Sequence, residues 1–174
     1  MDFVHKAKQP SIDRFVAFKT IQKERAERSP ESRCKFLREA QITGSLDHSN
    51  IVPIHDLGIS DDDSLFYSMK LVDGTSWEDV FNGNTRDENL GILLKVCDAV
   101  GFANAHEVIH RDLKPENVML GQFGEVLMMD WGMAINLQRD RGRGFSLIGM
   151  LAVAAIIVGM LMLFFDPLGG GGES

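Results

Sequence analysis

The sequence predicts an α+β chain that ends in a single membrane-spanning helix, on three observations. Short β-branched and aromatic runs are interleaved with stretches of helical periodicity. Clusters of Gly, Asp, Asn and Ser separate them. A run of 21 residues near the C-terminus carries no charge at all. The 174 residues are 44% hydrophobic and 25% charged, which excludes a disordered, collagen-like or disulfide-stapled chain.

The elements follow in order. The N-terminus (MDFVHKAKQP) is charged from residue 2 and has no apolar core, so it is not a secretory signal. Phe15 to Ile21 reads as a strand. A helix starts after Ser29, with Ser29 as N-cap, Pro30 in the first turn and Glu31 at the positive dipole end, and Gly44 stops it. Phe36, Leu37 and Ala40 form its apolar stripe, beside Glu39. Ile51 to Leu57 and Leu65 to Val72 read as strands around the loop Gly58–Ser64, where Asp61, Asp62 and Asp63 form a solvated turn rather than a metal site. Ser76 to Phe81 reads as a short helix and Asn89 to His106 as a long one. Leu90, Leu93, Leu94, Val96, Cys97, Val100 and Phe102 carry the long helix's periodicity. Short apolar runs follow at Val108–Ile109, Val118–Leu120 and Val126–Met129, the last two joined by a hairpin turn at 121–124.

The uncharged run is Phe145 to Phe165. As a helix rising 1.5 Å per residue it is about 30 Å long, one bilayer core. Arg139, Arg141 and Arg143 precede it, and Asp166 and Glu173 follow. The positive-inside rule therefore expects the large N-terminal part in the cytoplasm and a short tail outside. The expected organisation is a folded part at 1–138, a basic linker at 139–144, a membrane span at 145–165 and a Gly-rich tail at 166–174.

Charge and cysteine content narrow the function classes. A net charge of −7 argues against general nucleic-acid binding. Residues 1–40 carry ten basic and six acidic side chains, whereas residues 41–138 carry five and sixteen. Cys34 and Cys97 are too few for a disulfide framework or a zinc site and fit a reducing compartment. His5, His48, His55 and His106 show no metal-ligand spacing.

Chemistry concentrates in His110-Arg111-Asp112-Leu113-Lys114-Pro115-Glu116-Asn117, which matches every fixed position of H-R-D-L-x-x-x-N, the protein-kinase catalytic loop. Thirteen residues after Asn117, across the hairpin, Asp130-Trp131-Gly132 resembles D-F-G with Trp for Phe. Upstream, Val16-Ala17-Phe18-Lys19 resembles V-A-I-K on a strand, and period-two alternation puts Ala17 and Lys19 on one face. With these motifs in order, residues 4–138 resemble a bacterial eukaryotic-like Ser/Thr protein kinase.

The resemblance implies a kinase-like fold: an N-lobe at about 1–72 with a small antiparallel sheet and the helix called αC, then a partial helical C-lobe at about 73–138. It implies ATP and Mg²⁺ as cofactors and phosphorylation of protein Ser/Thr as the reaction. Asp112 would accept the substrate hydroxyl's proton, and Lys114 would steady the transferred phosphate. Asn117 and Asp130 would hold Mg²⁺ through oxygen, the ligand type this hard cation prefers. Lys19, ion-paired to Glu39, would hold the α- and β-phosphates, and Ala17 would lie against the adenine. Met69, Lys70 and Val72 fall at the hinge, with Met69 as gatekeeper. Implied partners are ATP, a protein substrate or partner kinase, and the membrane, with no nucleic acid.

Aligning the family's Gly-rich loop through Val4 places its glycines before residue 4, and no A-P-E motif follows Gly132. The expectation is a kinase domain truncated at both points, with an apolar surface on the 90–102 helix. Two alternatives follow: a membrane-anchored pseudokinase that binds nucleotide or a partner without catalysis, and a kinase gene fragment with no evolved role.

Overall fold

In the computed structural model, which describes residues 3–22 and 27–140, the chain first builds a four-stranded antiparallel sheet. Its strands are β1 (Phe3–Gln9), β2 (Arg14–Ile21), β3 (Ile54–Ile59) and β4 (Leu65–Lys70), in the order β1-β2-β4-β3. β1 is not signalled by hydropathy: Phe3 and Val4 are exposed and Lys6 and Lys8 stand among them. It is a strand because it pairs along the whole edge of β2, Val4 opposite Lys19 and Ala7 opposite Val16.

One helix, α1 (Pro30–Gly44), packs on this sheet. Its start is local chemistry: the Ser29 hydroxyl accepts the Ser32 N–H at 3.1 Å, Pro30 sits where no N–H is needed, and Glu31 complements the dipole. The buried side of α1 carries Phe36, Glu39, Ala40, Ile42 and Thr43. Phe36 and Ala40 pack with Ala17, Ile21, Val52, Leu65, Tyr67 and Met69 in one apolar cluster.

The second part is built on α3 (Arg86–Ala105), preceded by β5 (Gly74–Ser76) and the short α2 (Trp77–Phe81). α3 starts three residues before the expected Asn89. Thr85 and Glu88 form a reciprocal capping box there, a local signal that apolar periodicity alone overlooks. Its inner face, Leu93, Val96, Ala99, Val100 and Ala103, closes a core with Trp77, Met128 and Trp131. Two small antiparallel sheets complete it: β5 with β7 (Val118–Gly121) and β8 (Val126–Met128), and β6 (Val108–Ile109) with β9 (Ile135–Asn136). α4 (Leu137–Asp140) follows, its Leu137 N–H on the Glu107 carbonyl at 2.8 Å.

Several boundaries differ from expectation. Ile51 is not in a strand but makes a lone parallel bridge to Met128. Around it, Val52 N–H donates to the Met128 carbonyl (3.1 Å), Met128 N–H to the Asn50 carbonyl (2.8 Å) and the Asn50 amide to the Val126 carbonyl (2.9 Å). These bonds spend residues 50–52 on joining the two parts. β4 ends at Lys70, not Val72, and β3 runs on to Ile59, which shortens the loop. In that loop Asp62 is taken up by the hydroxyls of Ser60 (2.5 Å) and Ser64 (3.2 Å), as a turn requires. The uncharged run 145–165, residues 141–144 of its basic flank and the tail lie outside the described residues. Among the described residues no helix is long and apolar enough to cross a membrane.

Candidate active site

The β2–β4 register places Lys19 opposite Tyr67, so both side chains rise side by side under α1. They meet Glu39: Lys19 Nζ donates to its Oε1 at 2.6 Å and the Tyr67 hydroxyl donates to the same oxygen at 2.7 Å. Glu39 is only 5% exposed, so the carboxylate is held by two donors in place of water. Thr43 ties its hydroxyl back to the Glu39 carbonyl at 2.8 Å.

The 110–117 segment leaves β6 through Arg111, which sits at φ 68°, a left-handed conformation uncommon for a large side chain. Its guanidinium Nε donates to the Met133 carbonyl at 2.7 Å, which ties this loop to the segment after Gly132. His110 is buried at 3% exposure, and its tautomer follows from its neighbours. The Asp112 N–H donates to Nδ1 at 3.2 Å, so Nε2 carries the proton and donates to the Met129 carbonyl at 3.1 Å. Burial pushes the His110 pKa down, so the ring is neutral at pH 7 and both bonds persist.

Asp112 is the most connected carboxylate of the loop. Asn117 Nδ2 donates to its backbone carbonyl (2.9 Å) and to Oδ2 (3.0 Å), and Lys114 Nζ lies 3.2 Å from Oδ2. Partial desolvation raises its pKa, but the hydrogen bonds from Lys114 and Asn117 outweigh it and hold the carboxyl below the usual carboxylate range. The same contact raises Lys114. Asn117 spends its amide nitrogen on Asp112, which turns Oδ1 the other way.

Asp130 follows β8 and also sits in the left-handed region, at φ 50°. Its Oδ1 accepts the Gly132 N–H at 3.2 Å, and the Asn117 carbonyl accepts the Met129 N–H at 2.8 Å, keeping the two loops together. Gly132 has no room to spare: a Cβ there would lie 3.1 Å from Asp130 Oδ1 and 3.2 Å from Glu39 Oε2. The small residue thus allows two carboxylates from distant segments to approach.

Lys19, Glu39, Tyr67, Met69, Asp130 and Trp131 line one cleft of about 230 Å³ between the sheet and the second part, with Val4 at its edge. Of the expected adenine-side residues, Met69 reaches this cleft. Ala17 is buried in the adjoining apolar cluster, opposite Met69 in register. Lys70 turns its ammonium to Glu125 and its N–H to the Pro53 carbonyl, and Val72 is half-buried just past the strand end. Tyr67 and Val4 line this cleft without having a place in the sequence expectation for it; only Tyr67 could have been found, by continuing the alternation back from Met69. For a divalent cation, the chemistry of the donors fits: an amide oxygen on Asn117 and a carboxylate on Asp130, with the rest of the shell left to phosphate and water as Mg²⁺ prefers. Among the described residues no three His, Cys, Asp or Glu side chains converge as a self-sufficient metal site.

Comparison with known proteins agrees with this architecture. The family described as protein kinase domain matches residues 3–148. The serine/threonine-protein kinase PknD of Protochlamydia amoebophila is 36% identical over 149 residues, 77% of this chain and 15% of that protein. The protein of the same name from Chlamydia muridarum is 36% identical over 169 residues, covering 86% of this chain and 18% of its own length. The one from Chlamydia pneumoniae is 32% identical over 149 residues, 78% of this chain and 16% of that protein. The chain thus spans less than a fifth of the length of these relatives.

Proposed function

The chain belongs to the bacterial eukaryotic-like Ser/Thr protein kinase family, and from that premise we propose that it binds Mg·ATP in the cleft under α1 and transfers a phosphoryl group to protein Ser or Thr. The observation that carries this reading is the buried Lys19–Glu39 pair, which faces the same cleft as Asp130. Burying an ion pair is costly and does little for stability, so a cation presented in a cleft points to an anionic ligand.

The roles divide by chemistry. Lys19, oriented by Glu39 and Tyr67, holds phosphate oxygens; Asn117 and Asp130 hold Mg²⁺; Met69 borders the base. A bound nucleotide would supply the phosphoryl group, and a metal held by Asn117 and Asp130 would supply neutralisation of the developing charge. Asp112, kept ionised by Lys114 and Asn117, accepts the hydroxyl proton and aims the oxygen. Lys114 balances that carboxylate until phosphate arrives.

The same reading anchors the protein in a membrane through 145–165, with the kinase part on the cytoplasmic side behind Arg139, Arg141 and Arg143. Alkaline carbonate extraction tests the anchor: release of the chain into the soluble fraction would sink it.

The catalytic reading is tested in two stages on the purified full chain. Mg·ATP is expected to raise Tm, and Lys19→Met and Asp130→Asn each to abolish the rise. Phosphoryl transfer to a Ser/Thr peptide is expected to fall by at least ~10³-fold in Asp112→Asn. Nucleotide binding with transfer indifferent to Asp112 would refute catalysis and leave a nucleotide-binding module.

A further inference from the structure

Charge is divided along this chain, and α1 carries cations on its outer side. Its buried side holds Phe36, Glu39 and Ala40, whereas Arg33, Lys35 and Arg38 are exposed against one exposed carboxylate of the helix, Glu31. Among the described residues none of these three cations forms an ion pair. A second segment brings another cation to this side. Lys35 Nζ lies 3.8 Å from the Met133 sulfur, a weak acceptor, and Arg111 Nε donates to the Met133 carbonyl at 2.7 Å. Lys35, Arg111 and Met133 are all exposed, Met133 at 46%. Cations around an exposed apolar side chain have the composition of a membrane-interface surface, where the charges meet headgroups and the apolar group enters between them. None of these residues lines the nucleotide cleft, so both can be occupied at once.

The chain's own length selects the occupant. α4 ends at Asp140 and the uncharged run begins at Phe145. Residues 141–144 reach at most about 14 Å, and the headgroup layer takes up about 5–7 Å of that. With the run across a bilayer, α4 is therefore held at the headgroups. Met133 stands four residues before α4, within about 14 Å of its first residue, so the cations on Met133 are carried to the same leaflet. We propose that Lys35, Arg38, Arg111 and Met133 form a docking surface for the anionic lipid of the cytoplasmic leaflet. It seats α1 on lipid phosphates and turns the acid-rich surface of residues 41–138, sixteen acidic against five basic side chains, away from them. The inference rests on the membrane-anchor reading for the tether; the charge on α1 does not depend on it.

The test uses the full chain in nanodiscs and reads a dye on Cys34, exposed on α1 between Arg33 and Lys35, with Cys97→Ala as background. A nitroxide on a fixed share of phosphatidylcholine headgroups quenches the dye when α1 is seated on lipid. Quenching is expected to be strong with about 30% phosphatidylserine, weak with phosphatidylcholine alone and lost at about 0.5 M salt. In Lys35→Gln with Arg38→Gln the ratio of seated to free chains is expected to fall about 25-fold, about fivefold for each cation removed from an anionic surface. Lys35→Arg keeps the charge and is expected to keep the quenching. Quenching equal in the two lipids, or indifferent to the double variant, overturns the surface while the anchor stands. A chain that does not enter nanodiscs refutes the anchor; binding to phosphatidylserine vesicles that the double variant loses then still supports the surface, and no binding overturns both. Emission that follows the number of chains per disc rather than lipid charge makes the occupant a second copy and overturns the proposal.

Discussion

Removing the ammonium from the buried pair tests the electrostatic logic of the cleft without reference to catalysis. In Lys19→Met, Glu39 stays 5% exposed and keeps one neutral donor, the Tyr67 hydroxyl at 2.7 Å, in place of two donors. Breaking a buried pair by deleting one partner typically costs about 3–5 kcal/mol. Tyr67 remains and Lys19 itself is 13% exposed, so the lower end applies, about 3 kcal/mol. Lys19→Met with Glu39→Gln removes the charge that has lost its partner while keeping an acceptor for Tyr67. It is expected to recover about 2 kcal/mol, because replacing a whole buried pair is often nearly neutral. Urea unfolding followed by tryptophan emission reads this directly, since both tryptophans, Trp77 and Trp131, are 1% exposed. At an m-value of about 1–3 kcal/mol/M the single variant shifts the midpoint by at least ~1 M. A single variant within about 1 kcal/mol of the parent, or a double variant no more stable than the single, refutes the argument.

Three further outcomes are expected. Gly74→Ala puts a Cβ 1.8 Å from the Leu120 carbonyl oxygen, so β5 must leave β7; a loss of about 3 kcal/mol or more is expected in the same unfolding assay, and a neutral result would disprove the fit. Asn89 accepts from buried Trp77 Nε1 at 2.8 Å and donates to the Phe81 carbonyl at 2.9 Å, so Asn89→Ala should cost about 1–3 kcal/mol and an unchanged midpoint would count against it. His110 and His55 both have pKa values lowered, first by burial, so the unfolded chain binds protons more readily. Stability is therefore full above the unfolded value of about 6.5 and falls as pH drops below it. Tm measured from pH 7.5 to 5 should decline less steeply in His110→Gln than in the parent, with the residue of the slope due to His55, and identical slopes would rule His110 out.

Where the determinants were short-range, the elements could be read before the structure was seen. α1 begins at Pro30 because Ser29, Pro30 and Glu31 act within one turn, and it ends at Gly44 as its glycine suggests. The hairpin at 121–124 follows from its own glycines, with Gly124 at φ 79°. The residue types of the 110–117 and 130–132 motifs carry their chemistry in their functional groups, so Asp112, Asn117, Lys19 and Glu39 could be singled out one by one. Of their contacts the family resemblance implied the Lys19–Glu39 pair, but not the Tyr67 hydroxyl on the same carboxylate or the hold of Asn117 and Lys114 on Asp112. Glu39 meets Lys19 and Tyr67 because of a β2–β4 register set by pairings 44 to 54 residues apart in the chain, between residues such as Lys19 and Tyr67.

Leu90 and Leu94 show the limit of periodicity. Both belong to the helical apolar pattern with Leu93 and Val96, yet α3 turns the first two outward and buries the others, since the helix phase depends on what Trp77, Met128 and Trp131 present to it. β1 and β9 have too little local preference to be seen at all and exist through their partners β2 and β6. By itself the sequence determined the family, the start of α1 and the residue types of the 110–117 and 130–132 motifs, because caps, turns and functional groups act over three or four residues. Only the tertiary structure decided the shared carboxylate under α1, the tight seat of Gly132 and the outward turn of Leu90 and Leu94 on α3. Each of these depends on segments that meet only after the chain has folded.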